Sequence, residues 1–150
     1  MRRAAEAARR LVAGDIHRVH LAAAGTFLKA RKFKVVVFLD GKEIQSLWSE
    51  GQVRRATWDW SFDVRGWKPG MAVRIEAWDL RFRNERVGVR TDSDPLSLKL
   101  LGRDAALENA VGFGSQHLDG GFFRCKTSVE GFTDEDWSLL EQFIAPGQAW

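Results

Sequence analysis

The chain has 150 residues, of which 45% are hydrophobic and 29% charged, the balance of a single globular domain; this excludes a disordered or collagen-like chain. No apolar run approaches the ~20 residues that cross a bilayer as a helix, and one cysteine, Cys125, with His17, His20 and His117 offers neither an intrachain disulfide nor a zinc-binding spacing. The expectation is therefore a chain without metal or cofactor, in a reducing, cytoplasmic setting.

The net charge of +3 is unevenly spread, with 20 basic and 12 acidic side chains in residues 1–100 against 3 and 8 in the rest. That asymmetry points to an anionic partner for the first part, or to contact between the two parts.

Residues 1–12 place Met1, Ala4, Ala5, Ala8, Leu11 and Val12 at helical spacing opposite Arg2, Arg3, Arg9 and Arg10, a short basic amphipathic helix that ends at Gly14. Three roles compete for it: a packed terminal helix, an organelle transit segment and a membrane-surface anchor. From Ile16 the period becomes two. His17, Val19, Leu21 and Ala23 alternate with charged or small residues, and after the basic stretch Lys29-Ala30-Arg31-Lys32 the run Phe33–Leu39 is nearly continuous in β-formers. Asp40-Gly41 predicts a hairpin turn leading to Ile44, Leu47 and Trp48.

In 57–64 Trp58, Trp60, Phe62 and Val64 take one face and Thr57, Asp59, Ser61 and Asp63 the other, the clearest strand of the chain. After the turn 66–70, Met71, Val73, Ile75 and Ala77 alternate up to Trp78-Asp79. A charged loop follows over 80–86, then Val87-Gly88-Val89, and Leu96, Leu98 and Leu100 predict a further strand. Residues 112–121 read as a loop and 122–129 as a last strand. Thr133 with Asp134, Glu135 and Asp136 supplies the cap and acidic first turn of a helix through Ile144, with Trp137, Leu140 and Ile144 on one face. Short strands at intervals of about ten residues predict a mostly β, antiparallel sandwich.

At this point three segments, Val35-Val36-Val37-Phe38-Leu39-Asp40-Gly41-Lys42, Thr57-Trp58-Asp59-Trp60-Ser61-Phe62 and Val73-Arg74-Ile75-Glu76-Ala77-Trp78-Asp79, followed by Gly88, resemble in order and spacing the strands of a C2 domain, the calcium- and lipid-binding β-sandwich. The resemblance implies an eight-stranded sandwich over 16–130, with 25–33 as its first loop; the basic N-terminal helix over 1–15 and the C-terminal helix and tail over 131–150 lie outside it. It also implies loops at one end that collect calcium from several Asp side chains. Calcium needs about six to eight oxygen ligands, whereas 25–33 contains no acid and Asp79 and Glu85 stand beside Arg81, Arg83 and Arg86.

The expected function is therefore a non-catalytic module docking on anionic membrane surfaces without calcium. Phe27, Leu28 and Phe82 are the apolar tips, and Lys29, Arg31, Lys32, Arg81, Arg83 and Arg86 the basic rim. The alternative is a protein-interaction or assembly module using a sheet edge and exposed tryptophans, with Trp67 and Trp150 as contact residues and Trp58, Trp60 and Trp78 at or near the core. A third reading, nucleic-acid binding, lacks a concentrated basic face. No phosphate-cradling glycine loop occurs. Ser115, His117 and Asp119 form no recognisable triad, and Asp59 and Asp63 are outward acids of an alternating strand.

Overall fold

The computed structural model describes residues 2–49, 53–80, 84–93, 95–102, 116–118 and 121–143. Helix α1 (Arg2–Ala13) precedes strands β1 (Ile16–Arg31), β2 (Phe33–Leu39), β3 (Lys42–Trp48), β4 (Val53–Arg65), β5 (Val73–Leu80) and β6 (Asn84–Asp92). A 3₁₀ turn (Ser97–Leu101), β7 (Gln116–Leu118), β8 (Gly121–Val129) and helix α2 (Asp134–Phe143) follow. The strands form two four-stranded sheets, ordered β4-β1-β8-β7 and β3-β2-β5-β6, and all six strand pairings are antiparallel. The fold is an antiparallel β-sandwich flanked by a helix from each end of the chain.

Alternation decides what each strand buries. Val19, Leu21 and Ala23 of β1, Phe33, Val35, Val37 and Leu39 of β2, Phe62 and Val64 of β4, and Val73, Ile75 and Ala77 of β5 meet in one core. Burying each Val or Ile side chain contributes roughly 1.5–3 kcal/mol. Trp58 is buried and Trp60 partly so, their rings stacked 6.2 Å apart. The β2–β3 turn has Asp40 at φ 54° and Gly41 at φ 82°, the left-handed pair that a tight two-residue hairpin demands.

The helices belong to the same core. Ala7, Ala8 and Leu11 of α1 and Trp137 and Leu140 of α2 join the cluster built by the strands. Across the helix pair Arg3 Nη1 donates to Glu135 Oε1 at 3.0 Å, and Arg10 Nη1 donates to the Gly131 carbonyl at 2.7 Å and lies near Asp136. The basic start of the chain thus meets its acidic end. The apolar face of α1 is spent on α2 and the sandwich, as a packed terminal helix requires.

Several expectations need correction. The basic stretch of 25–33 is not a loop: β1 continues through Arg31, with Gly25 and Thr26 paired to β4 and β8, and only Lys32 separates β1 from β2. Leu96, Leu98 and Leu100 form no strand. Leu98, Leu100 and Leu101 lie in the 3₁₀ turn and, with Leu96, are all buried, because this segment plugs the space between β5, β6 and β8. The eighth strand is β7, inside the stretch read as a loop. Trp67 is a core residue, 1% exposed, its indole N–H donating to Ser97 Oγ at 2.9 Å. Trp78 faces out of the β5 sheet, one residue beyond inward Ala77.

Candidate functional site

The outer face of the β3-β2-β5-β6 sheet carries the most concentrated arrangement of aromatic and cationic groups among the described residues. Lys34 on β2 lies opposite Trp48 on β3 and Trp78 on β5, and Trp78 lies opposite Arg86 on β6. Four strands therefore contribute one row, Trp48–Lys34–Trp78–Arg86. The Lys34 Nζ stands 5.2 Å from the Trp48 ring centroid and 5.5 Å from that of Trp78, within cation–π range of both. Lys32 Nζ sits 5.2 Å from the Trp48 ring. Trp48 itself is 48% exposed, which is unusual for the most hydrophobic aromatic side chain.

The next row is centred on a buried acid. Glu76 accepts from the Trp78 indole N–H at 3.0 Å, and Arg86 Nη1 at 3.4 Å and Arg74 Nε at 3.3 Å close on its second oxygen. The Arg74 guanidinium in turn stacks 4.1 Å from the Phe38 ring centroid. Glu76 orients Trp78 and both arginines, so their heads are held in place, while Lys32 and Lys34 lie against aromatic faces.

Backbone bonds fix where Lys32 stands. Its carbonyl accepts from Leu80 N–H at 2.9 Å, and Ser49 exchanges bonds with Phe33 on the adjoining side. The β1–β2 connection, the end of β3 and the end of β5 thus converge at one end of the sandwich. Of the residues expected from the sequence, the structure brings Lys32 and Arg86 onto the same sheet face, Arg86 from within a strand instead of a loop. Phe27, Leu28, Lys29 and Arg31 belong to β1, but their side chains lie outside the described residues, as do Arg81, Phe82 and Arg83 entirely. Ser115, Asp119 and Trp150 also lie outside them.

Sequence reasoning missed Lys34, Trp48 and Trp78. Lys34 was legible as the one charge inside an apolar run. Trp48 was harder, because a two-residue turn at Asp40-Gly41 without irregularity pairs Leu47 with Lys34. A register shift between Val37 and Phe38 moves the pairing by one residue, so that Leu47 meets Val35 inside and Trp48 meets Lys34 outside.

Of the two carboxylates of the calcium reading, Glu85 has its side chain outside the described residues and Asp79 is not displayed. Asp79 is fully buried on β5, and among the described residues no three His, Cys, Asp or Glu side chains are grouped to hold a metal. Asp63 is engaged by Arg18 at 3.2 Å and Arg65 at 3.4 Å, an ion-pair role on an outer face. Cys125 is fully buried, and burial pushes its thiol well above the ordinary range.

No family model and no curated protein matches the chain. A solved structure described as a C2 domain is similar to it over 75% of this chain and 97% of its own, at 13% identity and a TM-score of 0.41. No helix among the described residues is long and apolar enough to cross a membrane.

Proposed function

We propose that this chain is a non-catalytic C2-like module that docks on anionic membrane surfaces without calcium. The observation that carries the reading is Trp48, half exposed, with the ammonium groups of Lys32 and Lys34 both 5.2 Å from its ring. An indole prefers the headgroup level of a bilayer, and each cation beside it gains about 1 kcal/mol near an acidic leaflet. Arg86 extends the same face. Phe27, Leu28, Lys29 and Arg31, which run into Lys32, and Arg81, Phe82 and Arg83, which follow Leu80, complete the docking end in this reading. Side-chain cations supply the positive charge, so no bridging metal is required.

Vesicle sedimentation tests it, with phosphatidylcholine alone and with added phosphatidylserine, in calcium and in EDTA. Binding is expected only to the acidic vesicles and equally in both buffers. The exchanges Lys32→Ala and Lys34→Ala should each weaken binding about fivefold, the equivalent of ~1 kcal/mol, and Trp48→Ala should weaken it as well. Equal binding to neutral vesicles, or no effect of the three exchanges, would overturn the reading.

One observation favours a second reading. β4 is a 13-residue edge strand, and among the described residues no strand pairs with its outer side, so it is open to addition of a partner's strand. A stable protein complex that forms without lipid and is lost on placing Pro in mid-β4 of a folded chain would support it.

A further inference from the structure

His17 is the second residue of β1 and is 5% exposed, turned inward beside Val19. Its imidazole lies against the backbone at the end of α1, near Leu11 and Gly14, and among the described residues Nε2 is buried with no hydrogen-bond partner. The ring stands edge-on to Trp67, 6.0 Å between centroids and 83° between planes, and 6.3 Å from Phe132. Phe132 leads into α2 and packs 5.3 Å from Trp137. Gly14 lies so close that a Cβ there would approach His17 Cε1 to 3.0 Å. One imidazole therefore ties the end of α1 to the β4–β5 turn and to the approach to α2.

The charged groups around it make a poor home for an imidazolium. From α1, Arg10 lies over the Phe132 ring at 4.8 Å, itself near Asp136 of α2 at 3.8 Å. From the β4–β5 turn comes Lys68, 3.9 Å from the highly exposed Asp15 at the start of β1. Lys68 thus places a cation near the ring, and the acids Asp15 and Asp136 are engaged with Lys68 and Arg10. Burial holds the His17 pKa below its ordinary 6.5 against the opposing pull of the Leu11 and Gly14 backbone, and Lys68 adds to the lowering.

The weakest partner in this joint is α1. Its buried face consists of Ala4, Ala7, Ala8 and Leu11, so it removes far less apolar area from water than the Val-, Ile- and Phe-lined sheets and opens before they do.

We propose that His17 is a proton-operated latch, which holds α1 on the sandwich when neutral and lets it go when protonated. The sign follows from linkage. A group whose folded pKa is depressed below 6.5 binds its proton more readily in the released state, so the latched form is fully stable above 6.5 and loses stability as pH falls from there. Release uncovers the Ala4–Leu11 face and parts Arg3 and Arg10 from Glu135 and Asp136, leaving with the already exposed Arg9 a basic amphipathic helix. This inference is independent of lipid docking and its test contains no lipid.

Hydrogen exchange on the full chain, corrected for intrinsic rates, is followed from about pH 7.5 to about pH 5, the range in which histidine charges. The amides of α1 are expected to lose protection below 6.5 by up to about tenfold per pH unit, the ceiling for one linked proton, while β2 and β5 stay unchanged. His17→Phe should make α1 insensitive to pH, and His20→Gln should leave the dependence intact. Constant α1 protection in the parent, or the same rise in His17→Phe, overturns the proposal. If His17→Phe does not fold, the parent decides: the His17 ring-proton resonances must titrate with a midpoint below 6.5 and α1 exchange must accelerate between 6.5 and that midpoint, and acceleration outside that window refutes the latch.

Discussion

Replacing Gly102 by Ala tests how tightly the 3₁₀ turn and α2 are packed. Gly102 closes that turn at φ −115° and ψ −2°, its N–H donating to the Lys99 carbonyl, a backbone that alanine adopts without strain. On conformational grounds alone Ala should stabilise by about 0.4–1 kcal/mol. Its methyl group, however, would lie 2.6 Å from Cε2, Cζ2 and Nε1 of Trp137, about 0.8 Å short of the 3.4 Å at which ordinary contact begins.

Trp137 is fully buried and braced by Phe132, so the ring has nowhere to swing. Overpacking of this kind costs about 2–3 kcal/mol, which for a chain of this size lowers the Tm by about 6–9 °C. Urea unfolding followed by circular dichroism measures it, in the parent and in a Trp137→Leu background where the touched atoms are gone. There Gly102→Ala should be neutral or favourable, giving a coupling energy of about 2 kcal/mol or more. A Gly102→Ala chain within 0.5 kcal/mol of the parent, or an equal loss in both backgrounds, refutes the steric argument.

Thr133 Oγ1 accepts from Asp136 N–H while Asp136 Oδ2 accepts from Thr133 N–H, a reciprocal cap on α2. Thr133→Ala should cost about 1 kcal/mol of unfolding free energy and Thr133→Ser much less, as chemical denaturation would show. Cys125 should resist an aromatic disulfide reagent in the native chain and react completely in denaturant, since burial raises its thiol pKa and blocks access; rapid native labelling would contradict the packing of β8. Glu76→Gln keeps an acceptor for Trp78 but removes the negative charge beneath the Trp48–Lys34–Trp78–Arg86 row. If that face docks on acidic lipid, the exchange should tighten vesicle binding about fivefold, an effect that high salt erases; weakened binding would place the contact elsewhere.

The sandwich was legible because its strands bury one face each, so Val19-Leu21-Ala23, Trp58-Trp60-Phe62-Val64 and Val73-Ile75-Ala77 print their alternation directly on the chain. Capping chemistry marked α2 in the same way, and the Asp40-Gly41 pair marked the hairpin. The leucines at 96, 98 and 100 mimicked that alternation, yet all are buried, since a short plug between two sheets has no solvent face to make a pattern. Trp67 read as exposed because it sits in a turn sequence, although the turn folds back over the core.

Local sequence determined which residues lie inside and which outside each regular strand, because that choice depends only on the two-residue period of an extended chain and the apolar side chains it carries. Which outward groups meet was decided by tertiary structure. The register shift in the β2–β3 pair turns Trp48 toward solvent, sheet order sets Lys34 between two tryptophans, and the packing of α1 on α2 encloses His17. Each depends on contacts between segments far apart in the chain, whose geometry neither partner's own pattern records.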